Sequence, residues 1–240
     1  MTRGYWYLAE MSVHIFATPE DLATGTAAYI ADVVNDVDRP VSLGLAGGGT
    51  PAATYGALAE STVDWDKVTT WLGDERWVPH DHPDSNTRMA RRTLVDRVLC
   101  HFVAPDTAFG DPHGAATAYG RTLLGIFHEN RPDIVLLGVG DDGHTASLFP
   151  GNDALTATDE MYIAAWVSDK QVWRLTASMP LLWSARELIF LAQGSSKAEV
   201  IAEIIEGDHP YPAQQVAAGA IQVRWMLDAA AAARLRSIPR

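Results

Sequence analysis

Asp141, Asp142 and His144 set two acids and an imidazole side by side just after an apolar run, Ile134 to Leu137. That run reads as a strand buried on both faces, and Gly138, Gly140 and Gly143 turn the backbone sharply behind it. Ligands of open parallel sheets dock at the carboxyl ends of strands, so this turn lies where chemistry is expected. His144 there is either a general base working near neutral pH or a solvated histidine in a Gly-rich turn. The pattern predicts a short helix after Gly143, with Ser147 one turn beyond His144.

Two further clusters suit an anion. Val41 to Ala46 reads as a strand that runs into Gly47, Gly48, Gly49, Thr50 and Pro51. Three glycines let backbone amides turn inward; Thr50 is a suitable N-cap and Pro51 a suitable first residue for a helix over 52–60, whose free N–H groups would face a phosphate. The spacing matches neither a nucleotide P-loop nor the dinucleotide fingerprint. Gly194, Ser195, Ser196 and Lys197 follow another apolar strand, Leu188 to Ala192. Ser196 and Glu199 match a capping box, which sets Lys197 at the first helical position. A cation there opposes the helix dipole unless an anion lies between them, so Lys197 is a phosphate-ligand candidate.

A third strand, Val68 to Leu72, ends in the charged run Asp74, Glu75, Arg76. His80 and His82 in the next loop lack a third nitrogen or sulfur ligand, and no metal is expected. Ser85 caps a helix with Arg88, Arg91 and Arg92 on one side, of which Arg88, in the first turn, is the better ligand candidate. The elements that must hold these groups alternate. Strands are expected at 13–16, 162–167 and 172–176, and Ile221, Val223 and Trp225 as an edge strand. Helices are expected from Pro19 to about Val34, from Pro112 with Tyr119, Leu123, Ile126 and Phe127 inward, and in the Ala-rich stretch after Asp228.

At 240 residues, 48% of them hydrophobic, one α/β domain is the simplest reading. A net charge of −12 opposes nucleic acid and anionic membranes, so a phosphate ligand needs a locally positive pocket. Cys100 is the single cysteine and is expected as a packed thiol in a helix with Val98 and Leu99. No signal peptide and no run of roughly 18 apolar residues is present, which points to a cytoplasmic protein. The domain is expected over 11–240, with residues 1–10 a disordered or mis-assigned lead-in and Met11 an alternative start.

Four segments in this order resemble the glucosamine-6-phosphate isomerase/6-phosphogluconolactonase family: LAGGGTP at 45–51, LGDERWVP at 72–79 with Ser85 and Asn86 after it, LLGVGDDGHTASLFP at 136–150, and Arg174 with GSSK at 194–197. The resemblance spans residues 12 to 233. It implies a single-domain, mostly parallel, Rossmann-like sheet with helices on both faces, similar to the glucosamine-6-phosphate deaminase/ribose-5-phosphate isomerase fold. The third segment resembles the lactonase branch; the deaminases carry a glutamate immediately before the proline, where Phe149 stands here. The resemblance implies hydrolysis of 6-phospho-D-glucono-1,5-lactone, with no cofactor expected; monomer and homodimer both stay open. His144 would activate water, with Asp74 and Arg76 in the cleft. Gly47, Gly48, Gly49, Thr50, Asn86, Arg88, Asp142, Gly143, Arg174 and Lys197 would hold the substrate. One departure is Gly49, where many relatives have serine. An amino-sugar-phosphate deaminase and a sugar-phosphate sensor without turnover are the alternatives.

Overall fold

The β-strands sort their side chains by parity, and that alternation sets the layers. In β6 (Ile134–Gly138), Ile134 and Leu136 face one core with α1 (Pro19–Asn35) and α2 (Gly49–Ala59). Val135 and Leu137 face a second core with α4 (Pro112–Ile126), α6 (Ala198–Glu206) and α7 (Pro212–Gly219). Both faces of the strand are therefore dry, as its unbroken apolar run requires. The computed structural model describes residues 10–168 and 170–237.

The main sheet also contains β1 (Glu10–Phe16), β2 (Val41–Leu45), β3 (Val68–Leu72), β5 (His101–Val103), β9 (Glu187–Ala192) and β10 (Gln222–Asp228). All its pairings are parallel, in the order β1-β10-β9-β6-β2-β3-β5. From β2 the chain winds outward one way through β3 and β5; from β6 it winds the other way through β9 and β10. The switch point lies between β2 and β6, which pair only through Leu43 with Ile134 and Gly44 with Val135. Beyond that register the two strands part, and a crevice opens at their carboxyl ends.

A second, antiparallel sheet roofs the crevice. It consists of β4 (Asp74–Arg76), β8 (Val172–Ala177) and β7 (Tyr162–Val167), with Arg76 opposite Arg174 and Asp74 opposite Thr176. The remaining α-helices among the described residues are α3 (Asn86–Ala90), which Ser85 caps by accepting from the Arg88 N–H and which continues as a π-helical turn over Arg91–Val95, and α5 (Met179–Ser184). No described helix is long and apolar enough to cross a membrane.

Several expectations need correction. The loop after Gly143 is a set of turns with an isolated bridge between Thr145 and Leu148, not a helix, because Ala146 takes a left-handed φ of 49°. Helix α2 begins at Gly49, so Gly48 rather than Thr50 is the N-cap. Ser196 makes no cap; Ser195–Lys197 is a 3-10 turn and Lys197 itself the N-cap of α6. Strand β10 is internal, with β1 outside it as the edge. Cys100 lies in extended chain before β5, where burial pushes its thiol up against the opposing pull of the Thr70 hydroxyl. Residues 229–234 form turns rather than a regular helix, although Asp228 does accept from the Ala231 N–H. Strand β1 begins at Glu10, and the expected lead-in falls, up to residue 9, outside the described residues.

Candidate active site

The crevice holds a cavity of about 190 Å³ lined by Gly47, Gly48, Asp74, Arg76, Gly138, Gly140, His144, Phe149, Lys170 and Arg174, among others. Each wall is set by local structure. On the β2 side the turn is pinned by the buried Tyr55 hydroxyl, which accepts from the Ala46 N–H at 2.7 Å and donates to its carbonyl at 3.0 Å. Gly48 then takes φ 108°, a conformation that only glycine reaches without strain, and α2 starts. Gly49 and Thr50 form the first residues of α2, just outside the lining.

On the β6 side, Gly140 donates to the His144 carbonyl at 2.9 Å, and a side chain at Gly140 would strike the imidazole. The ring therefore folds back over the turn. Its Nδ1 lies 2.5 Å from Asp142 Oδ1, and the same carboxylate oxygen accepts from the His144 N–H at 3.2 Å. Burial raises the Asp142 carboxyl, but the hydrogen bond to His144 and its charge outweigh that and hold the group below its ordinary value. One face of the imidazole stacks on Phe149, centroids 4.2 Å apart at 29°. Behind the loop, the Ala213 N–H at the start of α7 donates to the Gly143 carbonyl at 3.0 Å.

The roof supplies the cations. Arg174 is nearly buried, and burial lowers its guanidinium affinity for the proton while Asp74 opposes that. Arg76 donates through Nη1 to the Asp84 carbonyl. The Nε atoms of both arginines are buried without a partner among the described residues. Asp74 is a buried hub: Oδ2 accepts from Ser147 Oγ at 2.7 Å and stands 3.8 Å from Arg174 Nη1, and Oδ1 accepts from Asn86 Nδ2 at 3.0 Å.

Not every expected residue reaches the cavity. Asn86 lies beneath it, holding Asp74. Arg88 points away and donates to the Asp81 carbonyl at 3.1 Å. Asp142 faces His144 rather than an anion, and Lys197 pairs with Asp141 at 2.6 Å. Ser147 donates to Asp74 from the same loop as His144. Two participants lay outside the expectations. Lys170 lines the cavity over the Phe149 ring. Glu75, fully buried, accepts from the N–H groups of Arg76, Asn86 and Thr87 and the hydroxyls of Ser85 and Thr87. Its signal was an acid eleven residues before the start of a capped helix, which spacing alone does not reveal.

The family described as glucosamine-6-phosphate isomerases/6-phosphogluconolactonase matches residues 17–225. The chain belongs to this family. A Synechocystis protein named 6-phosphogluconolactonase is 41% identical over 206 residues, covering 81% of this chain and 85% of its own. The solved structure of 6-phosphogluconolactonase from Trypanosoma brucei superposes with a TM-score of 0.85 at 31% identity, covering 95% of this chain and 99% of its own. A monomeric glucosamine-6-phosphate deaminase reaches a TM-score of 0.81 at 23% identity, covering 93% and 100%, and shows the shared fold alone. One fold thus also carries a deaminase, and the backbone alone does not fix the reaction.

Proposed function

We propose that the chain hydrolyses 6-phospho-D-glucono-1,5-lactone to 6-phospho-D-gluconate, with His144 as the base. The observation that carries this reading is the 2.5 Å contact between His144 Nδ1 and Asp142 in a ring that lines the cavity. With Nδ1 donating to the carboxylate, Nε2 keeps its lone pair and can take a proton from water. The hydroxide attacks the lactone carbonyl, and negative charge develops on its oxygen, which the Arg76 guanidinium is placed to receive. Collapse breaks the bond to the ring oxygen, which receives the proton from the imidazolium. Asp142 stabilises that imidazolium meanwhile.

The phosphate is assigned to the Gly47–Thr50 turn with Arg174 and Lys197, supported by the family resemblance, the first amides of α2 and the local cations in a chain of net charge −12. Asp74, already holding Asn86, Ser147 and Arg174, fits an orienting role better than that of a proton-abstracting base. The test is hydrolysis of freshly prepared lactone with the spontaneous rate subtracted. His144→Ala is expected to lower kcat by about 10²- to 10⁴-fold with KM little changed. Undiminished hydrolysis by that variant would remove His144 from the reaction.

A further inference from the structure

Two ion pairs involve cations of the proposed phosphate site, and they differ in kind. Arg174 pairs loosely, at 3.8 Å, with a buried carboxylate that other donors hold in place. Lys197 pairs tightly, at 2.6 Å, with Asp141, whose side chain is 77% exposed while that of Lys197 is 21% exposed. The cation is thus the shielded partner and the anion the solvated one. Lys197 is set at the N-cap of α6 by the turn after Gly194, whose N–H donates to both Asp228 carboxylate oxygens at 3.0 Å. Asp141 sits in the His144 loop with one side open to water.

We propose that Asp141 competes with the substrate's phosphate for Lys197 and so sets the affinity of this site for phosphorylated sugars. This rests on the reading of Lys197 as a phosphate ligand. A phosphate arriving at the ammonium meets the Asp141 charge: it either displaces the carboxylate or sits beside a like charge, and each weakens its hold. Displacement is cheap, because an exposed carboxylate regains its hydration on leaving. The same competition acts on the product, which carries the phosphate unchanged, so Asp141 favours its release. The pair also ties the loop after β6 to the turn after β9.

Asp141→Asn keeps the side-chain shape and removes the charge. Binding of 6-phosphogluconate, and of inorganic phosphate as a competitor, is measured by calorimetry on wild type, Asp141→Asn, Lys197→Ala and the double variant, with gluconate as the unphosphorylated control. Asp141→Asn is expected to tighten both phosphorylated ligands by about two- to five-fold, the scale of an exposed ion pair, and to leave gluconate unchanged. In the Lys197→Ala background the gain should shrink. A loss of affinity in Lys197→Ala with no gain, or a loss, in Asp141→Asn overturns the competition and leaves Lys197 as a ligand. Unchanged affinity in Lys197→Ala overturns both readings.

Discussion

An imidazole serves as a base at one nitrogen when the other is committed, and here the commitment is local: Asp142 and His144 are two residues apart in one turn. The pair therefore survives any shift of the roof. Asp142→Asn replaces an oxygen that only accepts with a group that can also donate, so the tautomer is no longer enforced, and kcat should fall by up to about 10⁴-fold with the cavity intact. The same carboxylate links the site to acid stability. Its folded value is depressed, so it binds its proton less readily folded than unfolded. Its stabilising contribution is present above the unfolded value and is lost as pH falls through the lower folded value. Urea unfolding across the acid range should show wild type more stable than Asp142→Asn near neutrality and the gap closing at low pH. A gap that persists unchanged into strong acid would mean that Asp142 is not the group responsible.

At the scale of elements, the short strand β4 does more than its three residues suggest. Asp74 and Arg76 border the cavity, while Glu75 points the opposite way and gathers five donors from its own chain neighbour and the start of α3. The strand thereby fixes the cleft on one side and the helix on the other. Glu75→Gln turns one acceptor into a donor among buried donors, and thermal or urea unfolding should record a loss of about 2 to 4 kcal/mol. A loss near zero would mean that the helix start finds its partners elsewhere. This element also marks the limit of what patterning can reveal. The run of charges after Leu72 stood out, but alternation over three residues is too short to separate a strand from a loop. Helix α7 and β5 escaped for related reasons, the first being eight residues with Val216 as its single large apolar side chain and the second only three residues long. Long apolar runs such as Ile134–Leu137 and Leu188–Ala192 were legible because burial on both faces leaves few other readings.

Across the whole molecule, the reversal of winding between β2 and β6 decides where the site is, and each of the Gly-rich turns legible in the sequence flanks it or its neighbour β9. What patterning could not show is orientation, such as the Asp142 carboxylate turned to His144 or Arg88 turned away, since spacing carries no information on rotamers. The fold does not choose the reaction either, because a deaminase shares it. The choice rests on side chains at the crevice. Deamination of an amino-sugar phosphate calls for a carboxylate to assist ring opening, and position 149 offers a phenyl ring stacked flat on the imidazole. That ring cannot exchange a proton. Lactone hydrolysis asks for one base and a stabilised oxyanion, both of which the cavity can supply. The wild-type protein should therefore hydrolyse the lactone well above its spontaneous rate and release no ammonia from glucosamine 6-phosphate in a coupled assay. Ammonia release at a rate comparable with lactone hydrolysis would show that an acid elsewhere in the crevice replaces the missing glutamate, and the assignment of reaction type would fall.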